Sequence, residues 1–301
     1  MKRLNLLSIT LLLTILVGVQ PAWAKDLNVV ATTPSMGVLA SAVGKDLVSV
    51  HTLIGPDRDA HALTARPSMI ARLRQADLLV AVGAGLEDGW LPAAVDGSAN
   101  PALRPGQPGY LEVAKTLDLR DTRFDPAQGG HLHLEGNPHF NLSPDQMRSA
   151  SQSLADHLAR LDPEHADRYR DNARTFVAEL DRRLEALRTR EIPPIRVIAY
   201  HEEFDYFRDW LPVEVVAFLE PKPGVPPTAG HIASLYTQWQ GQAGAIVLAN
   251  YQPDRKAISL GERLGWPVRA LPLEPAGDQP EDYFTLMERW TSAVRDLGQD
   301  G

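Results

Sequence analysis

Histidines are the side chains most able to do chemistry in this 301-residue chain, which has nine of them and no cysteine. Without cysteine there is no thiolate metal site, iron–sulfur cluster or cysteine nucleophile, so nitrogen and oxygen must hold any metal. Three of the histidines, His61, His139 and His201, stand in loops next to predicted strand or helix ends. Ligands of open α/β sheets bind outside the carboxyl ends of strands, so these loops can meet in one cleft. Neither an HExxH nor a His-x-His spacing relates the three, and spacing alone does not identify a site.

Four other histidines lie within predicted helices or strands, and we expect them to pack or to face solvent: His51, His157, His165 and His231.

The elements that would position the three histidines follow an α/β pattern. In the first part of the chain, β-rich runs at 26–33, 47–54 and 77–83 alternate with helical patterns at 36–43 and 67–76. Such alternation predicts a parallel sheet covered by helices. The segment from residue 100 to residue 130 is rich in Pro, Gly and Asp, and we expect a surface loop there.

A long amphipathic helix is predicted next, over residues 162–190, because its apolar residues recur three or four positions apart. Pro193 and Pro194 stop it. The α/β pattern then resumes with predicted strands at 196–200, 213–219, 244–249 and 267–273, and predicted helices at 231–240, 256–264 and 283–297.

The first 24 residues have the features of a secretory signal peptide. A basic start precedes an apolar run, and Ala22-Trp23-Ala24 fits the small-x-small cleavage rule. An uncleaved anchor helix is the alternative, but the run is short for a bilayer span. We therefore expect a periplasmic protein, without a lipid anchor because there is no cysteine to carry one. The net charge of −8 lacks the basic footprint of a nucleic-acid-binding protein.

Four segments together resemble the zinc/manganese solute-binding proteins of ABC transporters. They are GPDRDAH at 55–61, GNPHFNLSP at 136–144, AYHEEFDYF at 199–207 and LEPKPG at 219–224. The resemblance extends in order over essentially the whole chain after the signal peptide.

The resemblance implies two similar α/β lobes with parallel-rich sheets, at residues 25–160 and 193–301, joined by one long rigid helix at 161–192. It places a metal in the cleft between the lobes, with His61, His139 and His201 as its ligands. It further implies a monomer that delivers its metal to an inner-membrane ABC permease and is not an enzyme.

The fourth metal ligand departs from the family pattern. Relatives often supply an aspartate after the last strand, where this chain has Pro272. Glu274, Asp278 or a water molecule could take its place. In the HLH segment, His131 and His133 are either a remnant of the metal-gathering loop of some relatives or an ordinary solvated loop.

Three imidazoles with at most one carboxylate favour Zn²⁺ over Mn²⁺, which prefers oxygen-rich sites. A ligating imidazole usually donates its other ring nitrogen to an acceptor, and Glu202, Glu203 and Glu220 are candidate acceptors. Two alternatives stay open. One is a three-histidine zinc hydrolase, although the sequence shows no general base, nucleophile elbow or phosphate loop. The other is a zinc- or manganese-binding carrier that works outside a transporter.

Overall fold

The computed structural model describes residues 26–121, 135–188 and 192–300. The predicted signal peptide, His131 and His133 lie outside these ranges. The strands are β1 (Leu27–Ala31), β2 (Val48–Thr52), β3 (Leu78–Ala81), β4 (Tyr110–Glu112), β5 (Ile195–Ala199), β6 (Val213–Phe218), β7 (Ala245–Ala249) and β8 (Val268–Leu271). The α-helices are α1 (Pro34–Gly44), α2 (Pro67–Arg74), α3 (Leu91–Ser98), α4 (Pro144–Leu161), α5 (Ala166–Arg188), α6 (Ala229–Trp239), α7 (Arg255–Leu264) and α8 (Pro280–Asp300). No helix in the described part of the chain is both long enough and apolar enough to span a membrane.

The eight strands form two four-stranded parallel sheets of the same design. Their orders are β2-β1-β3-β4 and β6-β5-β7-β8, so the first strand of each set lies between the second and the third. In register, Val29 pairs with Val50 and Leu78, while Val197 pairs with Val215 and Ala245. This confirms the predicted α/β fold with two similar lobes. In both sheets the carboxyl ends of the strands provide the edge where ligands bind in such folds.

The two faces of each sheet pack into different hydrophobic clusters. In β1, Val29 and Ala31 join a large central cluster, whereas Val30 joins an outer cluster of the first lobe. In β5, Val197 joins the same central cluster and Ile198 an outer cluster of the second lobe. This follows from the period of two in a strand, which points successive side chains to opposite faces. The central cluster therefore runs through both lobes and fixes the strand ends of one relative to the other.

Helix α5 packs against both halves of the molecule. Its buried face contains Tyr169, Phe176, Leu180 and Leu184, which recur at the predicted spacing. It contacts α1 and α4 on one side and α8 on the other. The α-helix begins at Ala166 because a 3-10 turn at Pro163–His165 occupies the predicted start.

The expectation of a surface loop over residues 100–130 holds at 104–108, which are exposed turns, but was wrong for other described residues. Residues 110–112 form β4, the edge strand that pairs in parallel with β3. Leu103, Leu111 and Val113 are buried. The strand has only three residues and its flanks are rich in Pro and Gly. Its own sequence therefore gives too weak a signal to predict a strand. Helix α3, with Pro92 in its first turn, was also missed.

Candidate metal centre

His61 lies in the loop that follows β2, and two neighbours hold it in place. Asp59 Oδ1 accepts hydrogen bonds from the backbone nitrogen of His61 at 2.9 Å and from its Nδ1 at 3.0 Å. The indole of Trp90, a buried residue, donates to the carbonyl of Ala60 at 2.9 Å. The carboxylate thus sets the ring orientation, while the indole ties this loop to the start of α3.

His139 lies in the segment between β4 and α4, and Asn137 orients it in the same way. Asn137 Oδ1 accepts from the His139 backbone nitrogen at 3.0 Å and from its Nδ1 at 2.8 Å. The Asn137 amide nitrogen donates to the carbonyl of Glu202 at 2.9 Å, and Tyr206 Oη donates to the carbonyl of Asn137 at 2.8 Å. Both of these contacts come from the second lobe, so the segment that carries His139 is bonded across the cleft.

His201 lies two residues after β5, and Glu220, two residues after β6, holds its ring. The His201 Nδ1 lies 3.1 Å from Glu220 Oε2, which also accepts from the backbone nitrogen of Gly224 at 3.0 Å. Burial lowers the pKa of His201, but the hydrogen bond to Glu220 and the charges of nearby carboxylates, Glu203 foremost, outweigh burial and raise it to about 9. In the metal-free site this imidazole therefore carries a proton at neutral pH.

The structure brings the three predicted histidines together. One ring nitrogen from each lies within 4.8 Å of those of the others. The ring centroids are 5.3 Å apart for His61 and His139, 5.4 Å for His139 and His201, and 5.9 Å for His61 and His201. Since Nδ1 of every ring faces a side-chain oxygen, Nε2 is the atom each ring can present to an ion. Three converging imidazole nitrogens are a typical donor set for a late divalent metal.

Neither acidic candidate for a fourth ligand belongs to this cluster. Among the described residues, the group of His, Asp and Glu side chains that could share an ion here consists of the three histidines. Glu274 lines the same cavity as His61 and His139, but its Oε2 accepts from the backbone nitrogen of Ser35 at 2.7 Å and from Ser35 Oγ at 2.6 Å. Burial raises the pKa of Glu274 to about 7.

Asp278, the other candidate, lines neither the cavity beside all three histidines nor the one beside His61 and His139. Its Oδ1 accepts a hydrogen bond from the side chain of Gln279 at 2.9 Å.

Sequence reasoning found one of the three ring partners. Of the three acids that it proposed, Glu220 contacts a histidine ring, whereas Glu203 Oε1 accepts from Gln252 at 2.8 Å. Asp59 and Asn137 were missed. Both stand two residues before their histidine, so a polar residue at that spacing is a signal that could have found them.

A cavity of about 260 Å³ opens beside the three rings. Its wall includes Asp59, Glu220, Gly224, Tyr251 and Gln252. Tyr251 follows β7, so loops after three strands of the second sheet reach this cavity together with the His61 loop of the first. An ion can therefore reach the three histidines from the cleft between the two sheets.

Comparison with known proteins gives a consistent result. The family model described as "zinc-uptake complex component A periplasmic" (ZnuA) matches residues 29–297. A high-affinity zinc uptake system protein ZnuA from Yersinia pestis is 24% identical over 268 residues, covering 83% of this chain and 83% of its own. The iron ABC transporter substrate-binding lipoprotein MtsA of Streptococcus pyogenes is 25% identical over 175 residues, which is 55% of this chain and 51% of MtsA.

Among solved structures, the solute-binding protein FpvC from Pseudomonas aeruginosa, in complex with Mn²⁺, superposes with a TM-score of 0.78 at 23% identity. The match covers 92% of this chain and 100% of that one. The likeness establishes a shared two-lobe α/β fold.

Proposed function

Because the chain belongs to the ZnuA family of periplasmic metal-binding components of ABC transporters, we propose that it captures Zn²⁺ and delivers it to an inner-membrane permease. Three imidazole nitrogens, which meet within 4.8 Å, are the observation that carries this proposal. In it, His61, His139 and His201 bind the metal through Nε2. The division into lobes at 25–160 and 193–301, joined by 161–192, a monomeric state, and export through a signal peptide cleaved after residue 24 are parts of the same proposal.

The donor set supports Zn²⁺ over Mn²⁺. Zinc accepts imidazole nitrogen at ~2.0–2.1 Å in a four-coordinate shell, whereas manganese favours carboxylate and water oxygens. No Asp or Glu of the described residues joins the cluster. The named relatives take up zinc in one case and iron in another, and FpvC is seen with Mn²⁺, so the family accommodates several divalent ions.

A water molecule or another exchangeable ligand would complete the shell. Glu274 is committed to Ser35, and its Oε1 lies 3.4 Å from the amide nitrogen of Asn141, so both carboxylate oxygens already face donors of the first lobe and of the segment that carries His139. Moving this carboxylate to a metal would leave the Ser35 backbone nitrogen without its acceptor, which costs about 1–3 kcal/mol for a buried donor.

A three-histidine zinc hydrolase would use the same donors, but proteins of this family are transporter binding components rather than enzymes. Its water-activating base would have to stand beside the open coordination position. The acids next to the rings, Asp59 and Glu220, are hydrogen-bonded to His61 and His201 instead.

Metal selectivity in competition tests the proposal. The purified chain is equilibrated with equimolar Zn²⁺, Mn²⁺ and Ni²⁺, and the bound metal is determined by native mass spectrometry. We expect one Zn²⁺ per chain. Preferential retention of Mn²⁺, or hydrolysis of ester and amide substrates by the loaded protein, would contradict the proposal.

A further inference from the structure

The charge of a bound divalent ion must be compensated within this cleft. Three neutral imidazoles leave the full double charge on the ion, and a charge removed from bulk water is costly unless it is paired. In the described structure no carboxylate belongs to the cluster of potential ligands. Any compensating charge from the side chains that the structure describes therefore comes from groups that do not touch the ion.

Two carboxylates stand immediately behind the rings. Asp59 is bonded to Nδ1 of His61 at 3.0 Å, and Glu220 to Nδ1 of His201 at 3.1 Å. Aspartate and glutamate side chains ordinarily carry a negative charge at neutral pH.

The third ring provides an internal comparison. His139 is oriented by the neutral amide oxygen of Asn137, which accepts from Nδ1 at 2.8 Å. An uncharged oxygen thus suffices to set the direction of an imidazole at this site. The negative charges on the other two ring partners are more than orientation requires.

We propose that Asp59 and Glu220 are specificity-determining residues whose two negative charges neutralise a bound divalent cation through the rings of His61 and His201. This inference rests on the proposed function, because it takes the three histidines as the ligands. In this arrangement the negative charges of the site lie on the residues behind the metal ligands rather than on the ligands themselves. The site therefore favours doubly charged over singly charged ions, while the protein contacts the ion through nitrogen alone.

Isosteric amides separate charge from orientation. In Asp59→Asn and Glu220→Gln, the remaining side-chain oxygen can still accept from the same Nδ1, and only the charge is lost. Removal of a residue that supports a metal ligand costs 10–100-fold in metal affinity. We expect each variant to raise the dissociation constant for Zn²⁺ by about that factor. Glu220→Gln should have the larger effect because the Glu220 side chain is 11% exposed against 41% for Asp59, and water screens an exposed charge.

The discriminating measurement compares Zn²⁺ with Ag⁺, a singly charged ion that also binds imidazole and has no redox step here. Coulomb energy scales with the charge of the ion, so the logarithm of the affinity loss for Ag⁺ should be about half that for Zn²⁺. Affinities are measured by competition titration in chloride-free buffer. Glu214→Gln, which removes an exposed carboxylate from β6, is the matched control and should change neither affinity.

Equal factors for Zn²⁺ and Ag⁺ would overturn the inference, because a purely orienting role weakens both ions alike. Unchanged affinities in both variants would also overturn it. Thermal unfolding of the metal-free proteins identifies the variants that fold, and either amide alone suffices for the comparison. If the unaltered chain fails to bind Zn²⁺, the proposed function itself fails, and that result is distinct from both of these.

Discussion

Replacing Glu274 by glutamine should abolish one component of the pH dependence of folding. The Glu274 carboxylate follows β8 in the second lobe and accepts from Ser35 at the start of α1 in the first, 239 residues away in sequence. Burial raises its pKa from the ordinary 4.5 to about 7. Glutamine keeps an oxygen that can accept both hydrogen bonds from Ser35 but cannot ionise.

The sign of the effect follows from proton linkage. Below pH 4.5 Glu274 is protonated in both the folded and the unfolded chain, so it adds no pH dependence there. Between pH 4.5 and about 7 the folded chain keeps a proton that the unfolded chain has lost, so stability declines as the pH rises. With 1.36 kcal/mol for each pKa unit, the total loss above pH 7 is about 3 kcal/mol.

We therefore expect metal-free Glu274→Gln to match the unaltered protein near pH 4.5 and to exceed its free energy of unfolding by up to about 3 kcal/mol at pH 8. Urea unfolding at closely spaced pH values gives this difference curve, and subtracting the two proteins removes the contribution of all other groups. A difference that stays constant between pH 5 and pH 8.5 would refute the reasoning. The same variant should keep its Zn²⁺ affinity within a few-fold, whereas a loss of 100-fold or more would make Glu274 a ligand.

Three further predictions concern the groups around the rings. Because Zn²⁺ must displace the proton from His201, whose pKa is about 9, affinity measured by chelator competition should fall about tenfold for each pH unit between pH 8.5 and 6.5; a flat profile would contradict this. Tyr206→Phe should lower the unfolding free energy by about 1 kcal/mol in denaturant titrations, since it loses the hydrogen bond to Asn137 across the cleft; an unchanged midpoint would contradict that role. Trp90→Phe should keep the packing but release the His61 loop. The free energy of Zn²⁺ binding should therefore fall by more than the free energy of unfolding of the metal-free protein; the opposite order would contradict this account.

The sequence predicts most of the helices and strands because the residue pattern that identifies each one lies within that element. The short β-rich runs of β1 and β3 and the three-to-four spacing in α5 each arise within one element. The short strand β4 escapes prediction because pairing with β3, not its own residues, makes it a strand.

In the candidate site, too, local sequence predicts some features, whereas others depend on contacts between distant segments. The three histidines can be proposed from loop positions and family motifs, and the structure brings them together. The role of Glu274 could not be predicted, because its donors on Ser35 and Asn141 are far away in sequence and depend on how the lobes pack. Likewise, choosing Glu220 among the three acids requires knowing that β6 lies next to β5.

The central claim is that His61, His139 and His201 form one metal site, and titration with Zn²⁺ of three single alanine variants tests it most directly. His157→Ala is the control, because that ring contacts the carbonyl of Pro108 in the first lobe instead. We expect one Zn²⁺ per chain in the unaltered and control proteins, with three nitrogen neighbours at ~2.0–2.1 Å in the X-ray absorption spectrum. Each of His61→Ala, His139→Ala and His201→Ala should stay folded and lose at least about 100-fold in affinity, because removing a ligand costs more than the 10–100-fold lost with a residue that only supports one. Undiminished Zn²⁺ binding by any one of these three would contradict the account.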